Sequence, residues 1–137
     1  MAREEAVTVG EVKLHCRRDG AKGDAPWLVF GNSLVTDLSI WDAQVAALGD
    51  RFRVLRYDQR GHGRSSAPDA PNDIELLGGD LLAVLDRFEV ERCTYVGLSM
   101  GVPTGLAAQA RAPERFERLV FVDGQARTAP TGAAMWA

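Results

Sequence analysis

No apolar run in this sequence approaches the length needed to cross a bilayer, so no membrane partner is expected. The opening residues, Met1-Ala2-Arg3-Glu4-Glu5, have no apolar stretch behind them, and no signal peptide is read there. Cysteine is scarce. Cys16 and Cys93 match no zinc or redox spacing and sit in apolar or alternating runs, as small reduced core residues of a cytoplasmic protein would. Basic charge is not in excess either: the formal net charge is −3, which argues against a nucleic-acid partner. An anionic small molecule stays in play, because one well-placed arginine can recruit it locally. Histidine occurs only twice, which matters for any catalytic reading. What is present is a globular balance, 46% hydrophobic and 26% charged over 137 residues, fitting one domain or part of a larger one.

Along the chain, hydrophobic periodicity alternates between two kinds of element. Val7, Val9, Val12, Leu14 and Cys16 alternate with polar residues around Gly10-Glu11, which predicts an opening β-hairpin. Trp27-Leu28-Val29-Phe30 is a continuous apolar run, the pattern of a strand covered on both faces. Trp41, Val45 and Leu48 recur at helical spacing, with Asp37 or Ser39 as cap and Gly49 as stop. A strand over 53–57 and a Gly/Pro-punctuated loop over 58–71 follow. Ile74, Leu77, Leu81, Val84, Leu85 and Phe88 then form one helical stripe. A strand over 93–96, a helix over 100–111 and a strand over 119–122 complete the series. This alternation predicts an α/β fold, a mostly parallel twisted sheet with helices on both faces. It divides into a hairpin and loop (1–26), a parallel core (27–123) and a C-terminal stretch (124–137). No further periodic element follows Val122, so the last strand is expected to form an unpaired apolar edge, as in a fold cut short.

Gly97-Leu98-Ser99-Met100-Gly101 lies between a predicted strand and a predicted helix. In that setting Gly-x-Ser-x-Gly forms a sharp turn that strains the serine backbone and lifts its hydroxyl to the C-terminal edge of the sheet. Ser99 is thus the candidate nucleophile. The Met100 N–H, at the positive end of the next helix, can hold an oxyanion. A second donor is expected from the loop Gly31-Asn32-Ser33-Leu34-Val35, where the Leu34 N–H is the candidate. Neither histidine reads as the base. His62 lies between glycines in Arg60-Gly61-His62-Gly63-Arg64-Ser65 and is better explained as structural, and His15 lies on the hairpin. Asp123, closing the strand after the elbow helix on the correct edge of the sheet, is a candidate acid, although the usual acid position is one strand later.

These residues resemble the α/β-hydrolase fold family, and more narrowly its bacterial 3-oxoadipate enol-lactonases. The resemblance runs from about Trp27 through Asn32-Ser33-Leu34, Thr36-Asp37, Tyr57-Asp58, Arg60-Gly61-His62-Gly63-Arg64-Ser65, the Ser99 elbow and Pro113-Glu114-Arg115-Phe116. It implies Ser99 as nucleophile, Leu34 and Met100 as oxyanion-hole donors, and Asn32, Ser33, Arg127 and Trp136 at the substrate. Arg127 and Trp136 lie where the family's chain enters a helical cap, and an arginine there would pair with a substrate carboxylate. The family's cap, last strands, catalytic acid and catalytic histidine fall beyond Ala137. Val35 and Val102 stand where the family usually has glycine, and a β-branched Val102 is expected to crowd the elbow helix against its neighbouring strand.

The implied chemistry is hydrolysis of an enol-lactone to 3-oxoadipate in aromatic degradation, on a small anionic substrate and with no metal or organic cofactor. The alternatives on this scaffold are another carboxylesterase, a perhydrolase or a C–C hydrolase. Aspartate-nucleophile dehalogenases and epoxide hydrolases fit less well, since the elbow holds serine. A non-enzyme reading is an inactive fragment or a binding half. The partners it calls for are a complementing C-terminal half or a second copy.

Overall fold

The computed structural model describes residues 2–69 and 72–126. The expected hairpin is formed by β1 (Arg3–Val9) and β2 (Val12–Gly20), which pair antiparallel with Val9 opposite Val12. Gly10 takes φ 60° at the turn, a conformation glycine adopts without steric cost. Next come β3 (Trp27–Gly31), α1 (Asp42–Leu48), β4 (Arg53–Tyr57) and α2 (Ile74–Arg87), and then β5 (Cys93–Leu98), α3 (Gly101–Arg111) and β6 (Phe116–Val122). The six strands form one sheet in the order β1-β2-β4-β3-β5-β6, with β4, β3, β5 and β6 parallel.

Successive strand residues feed opposite faces, and the core divides accordingly. Val29, Leu55, Tyr95 and Cys93 pack with Leu81, Val84 and Leu85 of α2 and Ala108 of α3. Leu28, Phe30 and Val54 pack on the other face with Trp41, Val45 and Leu48. All five residues of β3 are buried, as its unbroken apolar run requires.

The structure departs from the expected elements in three places. The helix read from Trp41 begins as a 3-10 turn, Leu38–Trp41, capped by Asp37, which accepts the Ser39 N–H at 2.8 Å. Buried Arg56 of β4 holds this start in place: it donates to the Leu38 carbonyl at 2.9 Å, to Asp42 at 2.7 Å and to Asp19 of β2 at 2.8 Å. Second, β5 runs two residues beyond Val96, and β6 begins three residues before Leu119. Third, Val102 is buried against Gly124, where a Cβ would lie 2.3 Å from a Val102 methyl. Among the described residues β6 forms an edge of the sheet, with Val120, Phe121 and Val122 each more than 40% exposed.

Candidate active site

Parallel strands β3 and β5 are neighbours, with Gly31 level with Gly97, so the loop after β3 and the turn after β5 emerge side by side. Ser99 sits on that turn with φ 51°, the left-handed region that a residue with a Cβ occupies only under strain. Its N–H donates to the Val122 carbonyl at 3.0 Å, and its carbonyl accepts the Val102 N–H at 3.0 Å. The turn is thereby clamped between β6 and α3 while the Ser99 side chain stays exposed.

The flanking glycines are required by space. A Cβ on Gly97 would lie 2.4 Å from the Gly101 carbonyl oxygen, and one on Gly101 would lie 2.5 Å from the Gly31 carbonyl oxygen. The second contact shows how closely the elbow approaches the β3 loop. Underneath lies Tyr95, fully buried, whose hydroxyl donates to the Gly101 carbonyl at 2.7 Å. Its ring and hydroxyl occupy the space that side chains on Gly31, Gly97 and Gly105 would need. Tyr95 therefore joins both loops from below. A tyrosine within a strand carries no sequence mark of this role beyond the three glycines around it.

Two backbone donors are open on the turn and the loop that emerge side by side. Among the described residues, neither the Leu34 N–H nor the Met100 N–H has a hydrogen-bond acceptor. Met100 directly precedes α3, whose first-turn amides give that end a partial positive charge. Pro103 falls in this first turn, where its missing N–H removes no helical bond. Next to Leu34, Val35 reaches φ 59° despite its branched Cβ and is 93% exposed.

The structure places Asn32 differently from a substrate ligand. Its side chain is buried, donating to the Tyr57 carbonyl at 2.8 Å and accepting the Trp41 indole N–H at 2.8 Å. Its contribution is to fasten the β3 loop to β4 and to the start of α1. Ser33 is half-buried within the same loop, with its hydroxyl turned toward the Leu34 carbonyl and Thr36. Asp123 follows Val122, the register partner of Leu98, and so lies beside Ser99 across the β5–β6 edge, exposed and with φ 45°. Arg127 and Trp136 lie outside the described residues.

Neither histidine reaches the elbow. His15 donates through Nδ1 to buried Asp58 at 2.9 Å and meets Arg64 through Nε2 at 3.3 Å. The same Asp58 also accepts the Leu38 and Arg64 backbone N–H groups, at 2.7 and 2.9 Å. His62 is engaged by Arg60 and Gln59 of its own loop. That loop is anchored to α2 by a buried two-bond pair: Arg60 donates to both carboxylate oxygens of Asp80, each at 2.7 Å. Asp80 in turn holds the Arg60 guanidinium above its ordinary pKa. Among the described residues the site therefore has an exposed, strained serine and two free amide donors, and no histidine bonded to that serine.

A family described as having the alpha/beta hydrolase fold matches residues 26–136. Over 90% of its length the chain is 39% identical to 3-oxoadipate enol-lactonase 2 of Acinetobacter baylyi, covering 46% of that protein. A hydrolase of Pseudomonas aeruginosa superposes with a TM-score of 0.90 at 43% identity, over 97% of this chain and 49% of that one. The enol-lactonase of Burkholderia xenovorans superposes with a TM-score of 0.80 at 52% identity, over 84% of this chain and 45% of that one. The chain thus spans about half the length of the relatives it matches.

Proposed function

This chain belongs to the α/β-hydrolase fold family, and from that premise we propose that it supplies the nucleophile and oxyanion hole of a serine lactonase that opens 3-oxoadipate enol-lactone. The observation that carries the reading is Ser99, exposed at φ 51°, with the Leu34 and Met100 N–H groups bonded to no acceptor among the described residues. Identities of 39% and 52% to two enol-lactonases support the choice of substrate class.

The Ser99 Oγ attacks the lactone carbonyl carbon and passes its proton to a histidine base that the described residues do not supply. The Leu34 and Met100 N–H groups receive the developing oxyanion. When the tetrahedral intermediate collapses, the ring C–O bond breaks, and the enol oxygen takes the proton back from the histidine. Water, deprotonated by the same base, then hydrolyses the acyl–Ser99 ester and restores the serine. On this reading the base comes from outside the described residues, and the partner is a complementing C-terminal half.

The test compares the 137-residue chain with the same chain joined to such a half, on the enol-lactone and on simple aryl esters. Lactone turnover by the joined protein, lost in Ser99→Ala and nearly absent from the chain alone, is the expected result. Good turnover of aryl esters with none of the lactone would sink the substrate and keep the serine hydrolase. Robust Ser99-dependent turnover by the chain alone would refute the need for an outside base.

A further inference from the structure

The Leu34 N–H and the Ser33 carbonyl belong to one planar trans peptide, so whatever fixes the carbonyl aims the N–H in the opposite direction. The Ser33 carbonyl is held by two donors: the Thr36 hydroxyl at 2.7 Å and the Gln59 amide Nε2 at 3.4 Å. The Gln59 side chain belongs to a residue only 6% exposed, and its Nε2 also lies 3.3 Å from His62 Nε2. At its other nitrogen, His62 Nδ1 lies 3.2 Å from the Arg60 carbonyl, which can only accept. A proton on Nδ1 satisfies that carbonyl and leaves Nε2 a lone pair to offer Gln59. Both neighbours of the Gln59 amide are acceptors, so its two N–H bonds are both used and its orientation is determined. A continuous relay results, from the Arg60 carbonyl through His62 and Gln59 to the Ser33 carbonyl.

We infer that Gln59 and Thr36 are positioning residues for the oxyanion hole, aiming and polarising the Leu34 N–H, and that His62 locks Gln59 in the donating orientation. The inference rests on reading Leu34 as an oxyanion donor, as proposed above. Two observations favour it over a merely structural loop contact. The Leu34 N–H has no acceptor of its own among the described residues, so its direction is set through the carbonyl of its peptide. The donors on that carbonyl also strengthen the N–H as a donor, because hydrogen bonds through one amide polarise each other. In addition, Arg60–Asp80 and the Asp58 cluster tie the relay's loop to α2 and β2, giving Gln59 a fixed base.

The test uses Thr36→Val and Gln59→Leu, with Thr36→Ser as the rescuing variant. It has two readouts: the amide NMR shift of Leu34, and kcat and KM of the protein joined to its C-terminal half. Deleting an oxyanion donor outright costs about 100- to 1000-fold in kcat, so a misaimed one is expected to cost about tenfold. The expected result is a Leu34 amide that moves upfield in both variants, kcat down about tenfold with KM within about twofold, and recovery of both in Thr36→Ser. A Leu34 amide unmoved in both variants overturns the inference whatever the activity. A moved amide with unchanged kcat in an active protein also overturns it. If the unaltered joined protein hydrolyses neither lactone nor ester, the functional reading fails, and the Leu34 shift alone decides whether Gln59 and Thr36 aim this amide.

Discussion

Replacing Ser99 by glycine and by alanine separates the strain of the elbow from the chemistry of its hydroxyl. Both substitutions remove the nucleophile. Among the described residues the exposed Ser99 side chain makes no hydrogen bond, so losing the hydroxyl itself changes stability little. The two variants differ in the backbone. At φ 51°, a residue with a Cβ is strained by about 1–2 kcal/mol, and glycine is not. Glycine gives back about 0.5–1 kcal/mol through the freedom it adds to the unfolded chain. The balance leaves Ser99→Gly more stable than Ser99→Ala by about 1 kcal/mol, a rise of about 3–5 °C in Tm for a chain of this size. Urea unfolding followed by the fluorescence of buried Trp27 and Trp41 reads the difference directly. A glycine variant no more stable than the alanine variant would refute the claim that this turn stores strain for the sake of presenting a side chain.

Val35→Gly should likewise raise stability by about 1 kcal/mol, since φ 59° strains a branched side chain that is 93% exposed and has little packing to lose; an unfolding midpoint at or below that of the parent would contradict this. Asp80→Asn leaves the buried Arg60 guanidinium without its countercharge and should cost about 3–5 kcal/mol, with Arg60→Met/Asp80→Leu recovering much of it; a loss under about 1 kcal/mol would show that the pair is not what anchors the loop. Burial pushes the Cys16 and Cys93 thiols from 9.0 up to about 12. Each folded thiol keeps a proton that the unfolded chain releases, so their contribution is intact below about pH 9 and lost as pH rises toward 12. Denaturant titrations across that range should show stability falling with pH, and less steeply in Cys16→Ala/Cys93→Ala; an equal slope in both proteins would reject the assignment.

The chemistry-bearing turns were legible because their residues act locally. Gly97 and Gly101 mark a sharp strand-to-helix turn by themselves, and the unbroken run of β3 marks a strand buried on both faces. What pattern reading missed depends on contacts between distant residues. Asn32 resembles any turn asparagine, yet its amide is taken up by Tyr57, 25 residues away, and by Trp41. The pairing of Arg60 with Asp80 across 20 residues has no sequence mark either, since a charge on a helix ordinarily faces solvent. Arg56 is harder still: a charged residue in a strand suggests an exposed face, and only three partners from separate elements make its burial tolerable. For His62, the flanking glycines mark a tight loop, but its contacts with Gln59 and the Arg60 carbonyl emerge only in three dimensions.

The most direct test of the account is to trap the acyl intermediate. The protein joined to its C-terminal half is mixed briefly with enol-lactone, quenched in acid, digested and mapped by mass spectrometry. One acyl adduct is expected, on Ser99, and it disappears in Ser99→Ala. An adduct on Ser65, whose hydroxyl accepts the backbone N–H of His15 beside Asp58, or turnover that survives Ser99→Ala, would contradict this.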